Sequence, residues 1–266
     1  MISRAELSLA GAHPVAISDV PLDAIPRYSL AGLFVTVSPH TDRQTHEELL
    51  AETFGSVDWL WSGDDEFRFG TDDQELKGFT LAVPEVGSPE SWDPSSWLTT
   101  EPIRGSLRSL TSGTFDAKPT DMRWVSGTGE QLICASSDAS PEPRDLLRLR
   151  VAPDMDFVFT GGTYAGWILN HPAAYLVHEW EPAPPYEEPV NLQHALRAYL
   201  SMFVEPKIGM MQDGDAGLLS ELDSLLAQLE TLPSDPRVTV IKNQLTDFRQ
   251  DWYGVGDGGS GTGEST

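Results

Sequence analysis

Apolar residues recur at helical spacing most clearly in the last third of the chain. Val238, Ile241, Leu245, Phe248 and Trp252 step by three and four, so they share one face of a helix running from Asp235 to Trp252. Asp235 suits the cap of that helix and Pro236 its first turn. Leu218, Leu222, Leu225, Leu229 and Leu232 step the same way just upstream. Only Pro233 and Ser234 lie between that stripe and the Asp235 cap, which predicts an antiparallel pair of helices. Leu192, Leu196, Tyr199 and Phe203 mark a third helix. Three one-sided helices need a surface to bury against, and the upstream residues must supply it.

Upstream, the period falls to two. Leu7 and Leu9 alternate, as do Val15 and Ile17, and Leu33 to Val37 reads as a short buried strand. Thr41 or Asp42 then caps a helix that ends near Gly55, with Leu49, Leu50 and Phe54 on its buried side. Val57, Trp59 and Trp61 alternate; so do Phe67 and Phe69, and Phe79, Leu81 and Val83. With turns at Gly63–Asp65 and Thr71–Glu75 they predict a meander with one aromatic face. Residues 84–102 hold four prolines together with Trp92 and Trp97 and read as a long ordered loop. Strands resume at Met122–Val125 and Gln131–Ala135. Leu147, Leu149 and Val151 then alternate with Arg148 and Arg150. Met155–Thr160 and Tyr164–Leu169 continue the pattern, and Ala174–Trp180 reads as a strand or short helix.

The expected fold is therefore α+β. A mostly antiparallel sheet with one early helix fills residues 1–181. A Pro/Glu linker spans 182–189, and a three-helix element, 190–253, packs on the sheet. The Gly/Ser/Thr-rich tail, 254–266, is expected to be disordered.

Charge changes the functional picture more than the fold. The chain carries 41 acids against 17 bases, a net charge of −24. That opposes binding to a nucleic-acid backbone or an anionic membrane and favours a basic partner. No run of 18 apolar residues predicts a membrane span, and Glu6 interrupts any leader, so a cytoplasmic protein is expected. A single cysteine, Cys134, allows no internal disulfide and, after Leu132 and Ile133, reads as a buried thiol on a strand.

Linear chemistry is sparse. The nucleophile elbow and the phosphate loop are missing from the sequence, and no dinucleotide glycine motif stands between a predicted strand and a helix. Gly161–Gly166 reads as a tight turn between strands. His171, His178 and Glu179 are metal-binding residue types without the second histidine of a zinc-protease motif. Asp64-Asp65-Glu66 and Asp72-Asp73-Glu75 lack the alternation of a calcium loop. No cofactor and no metal is implied. Glu47–Glu85 has a helix ending in Phe-Gly, a Trp strand and an acidic hairpin. It has the look of many small bacterial proteins without pointing to a family.

The strongest reading lies in residues 42–101, where 15 acids meet three bases, a net −12. Asp64, Asp65, Asp72 and Asp73 are the candidate steering acids, and Trp92 and Trp97 the candidate contact anchors. The expectation is a protein-binding module, immunity- or antitoxin-like, that neutralises a basic partner. One alternative is a hydrolase-like enzyme without a linear motif. Another is an assembly component whose leucine stripes form a homodimer seam.

Overall fold

The computed structural model describes residues 7–9, 13–56, 64–139, 145–184 and 189–254. Among the described residues, two mixed sheets and six α-helices make an α+β fold. The first sheet has nine strands. Its continuous path runs β8 (Ile103–Arg104), β12 (Leu146–Ala152), β13 (Met155–Thr160), β14 (Thr163–Asn170), β1 (Leu7–Leu9), β2 (His13–Ser18) and β9 (Ser106–Ser109). A branch of β10 (Met122–Val125) and β11 (Gln131–Ala135) joins β14 through β11. The second sheet runs β15 (Leu176–Val177), β3 (Arg27–Ser29), β4 (Phe34–Val37), β7 (Leu76–Ala82), β6 (Glu66–Gly70) and β5 (Thr53–Gly55).

The expected mostly antiparallel sheet with one early helix is not what forms. β1 with β14, β12 with β8, and β15 with β3 are parallel pairs. All three join segments far apart in sequence, where no hairpin turn dictates direction. After α1 (Arg43–Glu52), a second early helix, α2 (Ser95–Thr99), forms inside the stretch read as loop. Five residues are too few to print a helical period.

The centre of the first sheet is buried on both faces. Its inner face meets the second sheet, where Phe157 lies 4.8 Å from Phe79 and 5.9 Å from Phe67, ring centre to ring centre. Its outer face carries Ile133, Ala135, Val158, Ala165 and Ile168, which form a smaller cluster with Trp97 of α2. Register fixes this division. Arg123, Cys134, Trp167 and Phe157 are successive cross-strand partners, so one inward row crosses β10, β11, β14 and β13. Cys134 is fully buried in it. Gly166 sits at φ 151, and a Cβ there would come within 2.2 Å of the Cys134 carbonyl oxygen, so β11 and β14 can approach only over glycine. Gly161 and Gly162, both at positive φ, make the two-residue turn between β13 and β14.

The helical stripes are buried within the chain. Four helices occupy 190–253: α3 (Val190–Met202), α4 (Lys207–Gln212), α5 (Ala216–Glu230) and α6 (Pro236–Tyr253). The sequence expectation lacked α4, which is again too short for a period. Asp215 accepts from the Leu218 amide at 2.9 Å and Asp235 from the Arg237 amide at 2.8 Å, so both acids cap their helices. Leu218, Leu222, Leu225 and Leu229 of α5, and Val238, Ile241 and Leu245 of α6, enter the main core. That side of the helices is used inside the chain rather than left as a seam for a second copy. In α1, Asp42 is the cap, but the buried residue is His46, while Leu49 and Leu50 are partly exposed. The strand expected at Val57–Trp61, the centre of the 182–189 linker and the 255–266 tail fall outside the described residues.

Candidate acidic interface

Acids and bases are sorted unequally between interior and surface. Arg27, Arg68, Arg123, Arg148 and Arg237 are buried, five of the 17 bases, whereas among the described acids only Asp65, Glu66 and Asp156 are buried. Helix ends explain much of this. Helices α1, α2 and α3 have no basic residue in their last turn, so their carbonyl ends lack a local cation. Strand arginines supply it. Arg68 of β6 donates to the Leu50 and Thr53 carbonyls at 3.3 and 2.9 Å. Arg123 of β10 donates to the Leu200 carbonyl at 2.7 Å and to that of Phe203. Arg148 of β12 reaches the Trp97, Leu98 and Thr100 carbonyls at 3.3, 3.1 and 3.4 Å. Several outer bases are paired with acids: Arg43 with Glu47, Lys77 with Asp73, Lys207 with Glu221, Lys242 with Glu230 and Arg249 with Asp223. The exterior is therefore more acidic than composition alone implies.

The sequence candidates divide. Asp72 and Asp73 are exposed on the turn between β6 and β7, where Asp73 takes a 2.6 Å bond from Lys77, which lowers its pKa. The turn is fastened to the end of α1, because the Thr71 amide and hydroxyl donate to the Glu52 carbonyl at 3.2 and 3.1 Å. Exposed Glu52, and Glu48 one helical turn before it, thereby join Asp72 and Asp73 at one edge. Asp64 is half-buried at the opposite end of β6. Asp65 does not serve as a surface charge. It is 1% exposed, accepts from the Ala82 amide at 2.8 Å, and burial holds its carboxyl well above the usual range.

Trp97 is likewise no surface anchor: it is 0% exposed, because α2 lays it on the outer face of the first sheet. Trp92 is half-buried, crossing Trp97 at 81° with ring centres 5.7 Å apart. It lines a trough of about 460 Å³ together with Val86, Pro89, Ser91, Asp121, Met122 and Ser137. Composition marks a tryptophan as important but does not say whether core or surface uses it. Glu48, Glu52 and Asp121 were missed because their grouping depends on tertiary contacts.

A second concave region carries the chain's densest histidine chemistry. Ser38 Oγ and His40 Nδ1 are 2.7 Å apart, the His40 ring lies 4.6 Å from that of His46, and His46 Nε2 is 3.4 Å from Glu66 Oε1. Ser38 also lines a trough of about 420 Å³ with Arg27 and Lys77. Burial, then the neighbouring Arg27 and His46, push His40 down to about 3, against a weaker pull from Asp42. An imidazole so hard to protonate is a poor general base near neutrality. Among the described residues no three His, Cys, Asp or Glu side chains come together to hold a metal ion. No described helix is long and apolar enough to cross a membrane.

Fold and surface together define an acidic α+β protein whose basic groups are largely committed to structure. No known family, curated protein or solved structure matches the chain.

Proposed function

We propose that this protein binds a basic protein partner in the cytoplasm, using the acidic edge formed by Glu48, Glu52, Asp72 and Asp73. An immunity- or antitoxin-like neutralisation of a cationic protein is the concrete form. The supporting observation is the sorting of charge: five of the 17 bases are buried, three of them at helix carbonyl ends, while nearly all described acids stay outside. Such a surface speeds encounter with a cationic protein and repels acidic ones. The weak basicity of His40 counts against the hydrolase alternative. The internal burial of the leucine stripes counts against an assembly role for them.

Association kinetics with an octa-arginine peptide and a folded basic nuclease, at two salt concentrations, test the reading. A variant carrying Glu48→Gln, Glu52→Gln, Asp72→Asn and Asp73→Asn should associate about tenfold more slowly at low salt and lose much of its salt dependence. A control carrying Asp213→Asn, Glu221→Gln, Asp247→Asn and Asp251→Asn removes the same charge from the helices and should change the rate far less. Equal effects from the two variants would reduce the acidity to a matter of net charge and sink the assigned edge.

A further inference from the structure

We propose that the Trp92 trough receives an arginine side chain of the basic partner; this rests on the binding function proposed above and adds a contact site to it. Its walls are held by the backbone. The Arg123 amide donates to the Val86 carbonyl and the Ser88 amide to the Arg123 carbonyl, both at 2.8 Å, so residues 86–88 are fastened along β10. The Trp92 amide donates to the Pro89 carbonyl at 2.9 Å, closing a turn that presents the indole. Asp93 accepts from the Ser95 amide at 3.0 Å and fixes the start of α2. The ring that lines the trough is thus backed by Trp97 and set before any partner arrives.

Charge selects the occupant. Glu85, Glu90, Asp93, Asp121 and Asp138 are all exposed, and residues 85–93, 121–122 and 137–139 contain no base. Asp121 accepts from the Ser137 amide at 2.6 Å and from its hydroxyl at 2.7 Å, one bond per carboxylate oxygen. Each oxygen keeps capacity for another donor, so the carboxylate is aimed without being satisfied. An indole beside a fixed carboxylate suits a guanidinium, whose plane stacks on the ring while its edge donates to the oxygens. Val86, half exposed, and buried Met122 offer apolar surface to the arginine stem. The Ser38 trough differs in being lined by Arg27 and Lys77, which disfavour a cation there.

The test follows the Trp92 indole N–H resonance in ¹⁵N-labelled full-length protein, assigned by its loss in Trp92→Phe. The probes are an octa-arginine peptide, an octa-citrulline peptide and spermine. Octa-arginine should shift the Trp92 resonance and octa-citrulline should not. Asp121→Asn, which leaves the ring in place, should weaken octa-arginine binding about threefold or more. Trp92→Leu should weaken it about tenfold. Binding of octa-arginine with an unmoved Trp92 resonance and unchanged affinity in Asp121→Asn overturns the trough while leaving the acidic edge as the binding surface. An equal shift with spermine also overturns it, in favour of a free polyamine site. No binding of octa-arginine to the wild type overturns the proposed function itself.

Discussion

Arg148 and Arg123 occupy opposite faces of the same sheet, and each closes the carbonyl end of a helix. Arg148 faces outward under α2 and shares Asp156 with Arg150; its Nη2 lies 2.6 Å from Asp156 Oδ2, and Asp156 is fully buried. Arg123 faces inward under α3. Its Nη2 reaches two carbonyls, and its Nη1 has no hydrogen-bond partner among the described residues. A carboxylate balances one buried cation, while the negative end of a helix does most of that work for the other. The contrast teaches that the two positions, although both buried, should fail differently. Removing Arg148 leaves a fully buried anion with Arg150 as its remaining cation; removing Arg123 strands only carbonyls.

Mutation turns this contrast into an ordered set of outcomes. Arg148→Met leaves Asp156 facing Arg150 alone and should lower stability by about 3–5 kcal/mol in urea unfolding. Arg148→Met combined with Asp156→Leu should recover a large part of that loss, since no fully buried charge remains and Arg150, 27% exposed, can turn its guanidinium to solvent. Failure of the double variant to recover would mean that the Trp97, Leu98 and Thr100 carbonyls, not Asp156, dominate the site. Arg123→Met should lower stability by about 2 kcal/mol, the scale of charge-assisted bonds lost from a helix end. A larger loss than at Arg148 would invert the comparison.

Arg27 extends the contrast to pH. It donates to the Trp180 carbonyl at 2.6 Å, and its charge adds to burial in keeping His40 neutral. A depressed imidazole pKa leaves stability intact above about 6.5, the unfolded value, and erodes it as pH falls toward about 3, because only the unfolded chain then takes up the proton. The loss from this group should approach about 1.4 kcal/mol per pH unit below 6. His40→Gln should therefore flatten the dependence of the urea midpoint between pH 7 and pH 5. An unchanged slope would show that His40 is not what makes the fold acid-sensitive.

The helices were legible because burial on one side writes itself at intervals of three and four. Leu218 to Leu229 and Val238 to Leu245 enter the core as their spacing implies. The arginines were not legible for the opposite reason. Leu147, Leu149 and Val151 alternating with Arg148 and Arg150 read as a strand with one wet face. Yet α2 covers that face, and a covering layer leaves no periodic mark on the strand beneath it. Asp65 and Trp97 misled in the same way: residue type was informative, side was not. At the candidate edge, the acidity of Asp72 and Asp73 was readable. Their company with Glu48 and Glu52 depends on Thr71 bonding to Glu52, a contact across 19 residues.

Strand β14 is paired along one side by β13 and along the other by β1 and β11. Its register with β1 joins Ser8 to Thr163. During synthesis the first strand therefore emerges long before its neighbour exists. At about 5–20 residues per second, that interval lasts on the order of ten seconds or more. The hairpin of β1 and β2 can form at once, and β9 can join β2 midway, but the far edge of β1 stays open until β14 arrives. An unpaired strand edge held open that long is a template for a second nascent chain. The sheet is thus most exposed to aggregation before its hub is made, and slowing translation near β14 should lower the yield of folded protein more than slowing it among the helices.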